Sequence, residues 1–385
     1  MEPTTSTELF FDLVFIFTIT QLAHYLIEHA DWRGAARTAL LLALVWFVWV
    51  YTAWVTNWLH PDRAPVRALL IGLMLGSLLL SAAIPGAFAG TGLLFALVYV
   101  TVQVGRTLFA LWAVRGHPLL VDGFQKTLPW FAGTSALVVL GGLGGEGVRE
   151  ALWATAIVCD VVGLSIGYPV PGLGRTRAER WEVEGGHLAE RCQAFILIAL
   201  GESILVTGST LAQQLSVVTS GAFVLAFAGS VALWWVYFAR SASAATEVVV
   251  RAGERTGGLS RVAFNYLHPV MVAGIVVTSA GDERLLHEPG APADTVAALF
   301  ILGGPALFLA GHAAYRAVLW RARPTSRIGA VALLLALVPV SVELEAPVAV
   351  CAAAALVVTV AVILVDRRRA GGERRAAAAA RDDRA

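Results

Sequence analysis

Twelve apolar runs separated by short polar connections organise this chain, at roughly 6–29, 35–59, 67–89, 91–114, 127–146, 149–168, 187–211, 216–239, 260–281, 294–319, 327–342 and 346–365. A helix rises about 1.5 Å per residue, so about 20 apolar residues cross the hydrocarbon core of a bilayer. The pattern therefore predicts an all-α bundle of twelve membrane-spanning helices. Neighbouring runs meet most closely at Gly90 and at Glu343-Leu344-Glu345, where very tight turns are expected.

Charge in the connections alternates. Those after even-numbered runs hold Arg63 and Arg67; Arg115 and Lys126; Arg175, Arg177 and Arg180; Arg240, Arg251, Arg255 and Arg261; then Arg321, Arg323 and Arg327. The C-terminal tail adds Arg367, Arg368, Arg369, Arg374, Arg375, Arg381 and Arg384, whereas connections after odd-numbered runs hold only Arg33, Arg37, Arg149 and Arg284. Cytoplasmic loops carry the excess of Lys and Arg. The expectation is a multi-pass protein of the cell's inner membrane with both termini in the cytoplasm.

The connection 169–186 has the Pro and Gly of a linker (Pro169, Pro171, Gly172, Gly174, Gly185, Gly186) and splits the chain into a six-helix half over 1–168 and another over 187–366, followed by a basic, disordered or lipid-associated tail over 367–385. Trp49-Val50-Tyr51 and Trp235-Val236-Tyr237 occupy matching places in the two halves. Gly105 with Gly311, Phe109 with Tyr315 and Pro118 with Pro324 share one register. The pattern is that of a parallel repeat, and the architecture is major-facilitator-like by analogy. Glu247 stands four residues before Arg251, which predicts a short exposed helix in 240–258.

Composition agrees with the pattern. The 385 residues are 58% hydrophobic and 14% charged, against about 25% charged in soluble domains. The net charge of +1 is spread between apolar runs without forming a basic face, so it gives no sign of a nucleic-acid partner and none is expected. Cys159, Cys192 and Cys351 all sit within apolar runs and imply neither a disulfide nor a zinc framework. No basic region precedes the first run, and Asp12 interrupts it, unlike a cleavable signal.

The chemistry lies in the polar residues within the runs. His187–Gly208, HLAERCQAFILIALGESILVTG, spans a bilayer yet carries His187, Glu190, Arg191 and Glu202. An ionised group at the bilayer centre costs about 2.5–3.5 kcal/mol, so such side chains face protein or a wet cavity. Arg191 and Glu202 share a helical face but lie about 16 Å apart along it, too far to pair. In the first run Thr5 and Glu8 fit a capping box, making Glu8 a helix cap. Asp12, one turn deeper, has no such role. Gln21, His24 and Glu28 lie on the opposite side of that helix, with Glu28 interfacial.

Asp12, Arg106, Asp160, Arg191 and His312 all fall about 6–12 Å from the cytoplasmic ends of their helices. Opposite charges at one depth neutralise each other. The expected pairs are Asp12 with Arg106, Asp160 competing, and Glu190 and Arg191 facing His312 and Arg316. They would act as a static latch or a moving gate. Glu202, about 22 Å along its helix with no cation at that depth, is expected to carry a proton or bind substrate, or to make a plain interhelical hydrogen bond. The Trp residues of the second run read as bundle packing and interface anchors. His187 and Glu190 form an HxxE pair without a second cluster. With no HExxH, GxSxG, GxxxxGK[ST] or convincing GxGxxG present, no metal or cofactor is expected.

Glu8 to His24, ELFFDLVFIFTITQLAH, resembles the hallmark opening of the bacterial low temperature requirement A family. His187 to Leu205, HLAERCQAFILIALGESIL, resembles its central signature, and Gly304 to Arg316, GPALFLAGHAAYR, its C-terminal pattern. Cys192-Gln193-Ala194 departs from that signature, where an aromatic and Gly are commoner. The resemblance implies an integral membrane protein and marks Glu8, Asp12, Gln21, His24, His187, Glu190, Arg191, Gly201, Glu202 and Ser203 as motif positions.

These features point to a secondary transporter or permease. Glu202, Asp12, Gln21, His24 and Ser203 would bind substrate or proton, and Arg106, Asp160, His187, Glu190, Arg191, His312 and Arg316 would form ion pairs or a gate. Its partners would be the lipid bilayer and a small molecule or proton. The alternatives are a membrane-embedded enzyme acting on lipid or isoprenoid substrates through Asp12, His187 and Glu190, and a structural or sensor protein without a cavity.

Overall fold

The computed structural model describes residues 4–176, 185–213, 215–239, 261–320 and 323–382, with side chains at all of these but 261 and 370–382. The twelve helices among them are α1 (Ser6–Glu28), α2 (Trp32–Trp58), α3 (Ala64–Ala82), α4 (Gly92–Ala113), α5 (Pro118–Leu143), α6 (Val148–Ile166), α7 (Gly185–Gln213), α8 (Val217–Phe238), α9 (His268–His287), α10 (Thr295–Trp320), α11 (Thr325–Glu343) and α12 (Val348–Asp382). A π-helical turn, Arg261–Leu267, leads into α9. No strand occurs among the described residues, only the isolated bridges Val170–Gly174 and Pro292–Pro347. Ten of the helices, all but α5 and α6, are long and apolar enough to cross a membrane. The protein is a polytopic all-helical bundle.

The boundaries follow local chemistry. Thr5 and Glu8 form the expected capping box at the head of α1. Asp31 accepts from Gly34 N at 2.6 Å to open α2, and Ser216 caps α8 through Thr219 N. α5 begins at Pro118, well before the expected 127, because Pro suits the first helical turn and Lys126 pairs with Asp122 one turn back at 2.6 Å. α3 stops at Ala82, so the connection to α4 is the turn-rich stretch 83–91 instead of a tight turn at Gly90. α12 continues as helix to Asp382 through the segment that composition reads as a tail, and its Ala and Arg are strong helix formers. The helix expected in 240–258, and Arg177 and Arg180 of the linker, lie outside the described residues.

The chain divides into two compact units, Met1–Glu202 with Ala245–Pro269, and Ser203–Ala244 with Val270–Ala385. The boundaries therefore fall inside α7 and just within α9.

The first unit is built round α2. Leu44, Val48, Trp49, Val50 and Ala53 are wholly buried, and consecutive residues can all be covered only on a helix enclosed on every side. Arg149, buried at the head of α6, donates to the carbonyls of Gly141, Gly142 and Gly144 at the end of α5 and to those of Ala87 and Ala89 in the 83–91 turn, at 3.0–3.3 Å. Carbonyls left over at a helix C-terminus suit a cation in this way.

In the second unit α9 and α10 approach through glycines. A Cβ at Gly274 would meet Phe308 backbone at 2.5 Å, one at Gly281 the backbone of Phe300 and Ile301 at 3.0–3.1 Å, one at Gly304 Thr278 Oγ1 at 2.5 Å, and one at Gly311 Met271 Cγ at 2.9 Å. The facing positions fall as one index rises on the other, so the two helices are antiparallel with a glycine repeating every seventh residue on each. Small residues let helix backbones come close where lipid provides no hydrophobic drive.

Candidate functional site

Two polar constructions lie within the first unit. In one, Arg191 of α7 is fully buried against two carboxylates of α1. Its Nε donates to Asp12 Oδ2 at 2.9 Å and its Nη2 to Asp12 Oδ1 at 2.6 Å, a bidentate pair. Nη1 donates to Glu8 Oε1 at 2.9 Å and to Thr56 Oγ1 at 3.1 Å. Trp49 Nε1 donates to Asp12 Oδ1 at 2.7 Å. His187 Nε2 lies 3.2 Å from Glu8 Oε1. Glu8 Oε2 also takes the Thr5 N–H and hydroxyl at 3.0 Å each, so one carboxylate caps its helix and binds the next. Thr4 Oγ1 reaches Glu190 Oε2 at 3.3 Å.

The pairing differs from the one depth predicts. Asp12 is taken by Arg191, and the expected Asp12–Arg106 pair is not formed. The partners of Arg191 are Glu8 and Asp12 of α1. Within the second unit His312 accepts from Arg327 Nε at 3.0 Å, and the Arg316 guanidinium lies over the Trp320 ring at 5.4 Å. Depth ranks Arg106 and Arg191 equally as partners for Asp12, and lateral packing of α7 on α1 decides between them.

Arg106 belongs to the second construction, a cavity of about 670 Å³ including its mouth, with Tyr51, Trp54, Trp58, Phe131 and Tyr168 in its wall. Arg106 is 1% exposed, and its hydrogen bonds go to neutral oxygens: Val48 O at 3.0 Å, Thr52 Oγ1 at 3.2 Å and Gln103 Oε1 at 2.5 Å. It pairs with no carboxylate among the described residues. Gln103 Nε2 passes the chain on to the Tyr99 hydroxyl at 3.1 Å. Asp160, wholly buried, lies within electrostatic reach of Tyr99, Thr134 and Arg106, yet neither of its oxygens has a close hydrogen-bond partner among the described residues.

Part of the wall of this cavity is shaped by backbone rarely adopted elsewhere. Gly167 ends α6 at φ +80° with its carbonyl accepting from Thr176 N at 2.7 Å, and Tyr168 follows at φ +48°. A non-glycine residue in that region costs roughly 1–2 kcal/mol. Here it sets the Tyr168 hydroxyl 3.0 Å from that of Tyr51.

The remaining predicted residues are dispersed. Glu202 is buried on α7. Ser203 donates to Asp282 Oδ2 at 3.0 Å in the second unit. Gln21 is half-buried and His24 exposed toward the far end of α1, away from the Arg191 network. Sequence reasoning missed Glu8 as an ion-pair partner, Trp49 as a donor and the Tyr51–Tyr168 pair. A carboxylate one turn before Asp12 on the same helix was a usable signal for Glu8. Nothing local marks Tyr168. Among the described residues no group of three or more His, Cys, Asp or Glu is placed to hold a metal.

Ten apolar spanning helices with charged side chains turned into the protein define a multi-pass integral membrane protein whose surroundings are a lipid bilayer. The sequence pattern of the bacterial low temperature requirement A protein family matches residues 4–362, and the chain belongs to that family. An uncharacterized protein of Rhizobium meliloti (strain 1021) is 35% identical to it over 331 residues, 86% of this chain and 81% of that one. No solved structure matches it.

Proposed function

We propose that this protein is a secondary carrier for a small organic anion, coupled to protons, with Arg106 at its solute site. It sits in the inner membrane with both termini in the cytoplasm. The observation that carries this reading is the burial of Arg106 in a cavity wall with only neutral oxygens bonded to it. A buried cation without a contacting counter-ion costs several kcal/mol. An anion entering the cavity supplies the missing charge, and a guanidinium holds a carboxylate in two hydrogen bonds. The aromatic walls suit the apolar body of such a solute, and the tyrosine hydroxyls orient it.

Asp160 provides the coupling. As a carboxylate beside Arg106 it repels an incoming anion, and as the neutral acid it does not. Proton uptake and anion binding then favour each other, and the coupling is reciprocal. Gln103 and Tyr99 link the two groups. In this reading the Arg191 network latches α1 to α7. Glu202 and Ser203 remain candidate proton or solute groups further along α7, and Gln21 and His24 lie toward the outer end of the path.

The test is uptake of radiolabelled benzoate, with acetate and an uncharged analogue alongside, into proteoliposomes of the purified protein under an imposed pH gradient. Arg106→Gln should reduce uptake about tenfold or more, the scale of one charge-assisted contact. Asp160→Asn should keep anion exchange while removing its dependence on the gradient. Uptake indifferent to Arg106→Gln, or equal for the uncharged analogue, refutes the reading.

A further inference from the structure

The Arg106 cavity holds a second polar feature that a bare anion does not use. Three threonines, Thr107, Thr127 and Thr176, stand in its wall. Two are committed to their own helices: Thr107 Oγ1 donates to Gln103 O at 2.7 Å and Thr127 Oγ1 to Phe124 O at 3.2 Å. Thr176 is 9% exposed, and its hydroxyl has no hydrogen-bond partner among the described residues. A buried hydroxyl in that state is unfavourable until something completes it.

Main-chain contacts alone hold Thr176 in the wall. α6 ends at Gly167 in the left-handed region, the Val170–Gly174 bridge turns the connection back, and Thr176 N donates to Gly167 O at 2.7 Å. A Cβ at Gly167 would meet the Thr176 carbonyl oxygen at 2.1 Å, so this approach requires glycine. These bonds leave the hydroxyl unused. An aromatic face links it to Arg106. The Arg106 guanidinium lies 5.6 Å over the Tyr51 ring. Phe131 packs against both Tyr51 and Tyr168, at 4.8 and 5.8 Å between ring centres, and Tyr168 belongs to the same connection as Thr176. Such a wall suits a flat ring.

We infer, on the reading of Arg106 as the solute site, that the solute is an aromatic carboxylate bearing a ring hydroxyl. Its carboxylate meets Arg106, its ring lies against Tyr51 and Phe131, and its hydroxyl meets Thr176 Oγ1. A threonine hydroxyl both donates and accepts, so it answers a phenolic hydroxyl in either sense. A site built to hydrogen-bond a solute hydroxyl rejects the analogue lacking it more sharply than an apolar wall can.

The test is calorimetric titration of the full chain in nanodiscs with benzoate, 3-hydroxybenzoate and 4-hydroxybenzoate. At least one hydroxybenzoate should bind about tenfold more tightly than benzoate. Thr176→Val should bring that ratio to near one, and Thr176→Ser should keep most of it. Arg106→Gln should weaken all three ligands. Equal binding of the three by the wild type, or a preference that persists in Thr176→Val, overturns the hydroxyl assignment, while sensitivity to Arg106→Gln still upholds the anion site. Binding of none of the three, or binding indifferent to Arg106→Gln, overturns the reading of Arg106 itself and the hydroxyl assignment with it. Each variant is judged by a ratio between ligands, so a loss of stability does not imitate the expected result.

Discussion

Arg191 shows what one buried cation demands. It is wholly covered and answers two carboxylates on another helix, with Trp49 and Thr56 completing the shell. Its guanidinium also lies 5.9 Å from the ring centres of both Phe11 and Trp49. Removing one member of such a group leaves an uncompensated charge, which costs about 3–5 kcal/mol. Arg191→Ala should therefore lower the thermal midpoint of the detergent-solubilised protein sharply, or abolish its accumulation in the membrane. Asp12→Asn should be milder, about 1–3 kcal/mol, because Glu8 still faces Arg191. Equal loss in both variants would argue against Arg191 as the centre of the network.

Among the elements, α9 and α10 make the most specific demand. Their glycines face each other's backbones, so a side chain at Gly304 must push the helices apart. Gly304→Val should destabilise the second unit by about 1–3 kcal/mol through overpacking. Its neighbour Gly303 has nothing within 4 Å of a built Cβ, and Gly303→Val should be tolerated. Thermal unfolding of the two variants side by side checks the pair, and similar midpoints would mean the close crossing does not hold. The seven-residue glycine spacing was readable in the sequence, but in a chain this rich in glycine it stands out only once the helices are seen to face each other.

At the scale of the molecule, the arginines that depart from the charge alternation turn out to be locally committed. Arg33 and Arg37 pair with Glu146 and Glu150. Arg149 is bound by carbonyls, and Arg284 pairs with Asp294 at 3.2 Å. Neutralised in this way, they oppose little of the orientation that the other loops impose. A fluorescent protein fused after Ala385 should therefore mature and fluoresce in the cytoplasm. Alkaline phosphatase inserted at Leu344, between α11 and α12, should be active outside. The reverse result would invert the topology.

Much of this protein follows from its sequence alone. Apolar run length and loop charge predict how many helices there are and which ends carry the arginines, because bilayer thickness and backbone satisfaction leave a hydrophobic segment little choice. The capping box and the inward location of Asp12, Arg106, Asp160 and Arg191 were likewise legible, since an ion in hydrocarbon must turn to protein. Who pairs with whom was not. Distance along a helix axis is written in the sequence, whereas distance across the bundle arises only when helices choose neighbours. Asp12 thus met Arg191, Arg106 was left facing a cavity, and Tyr168, from a connection after α6, became part of its wall.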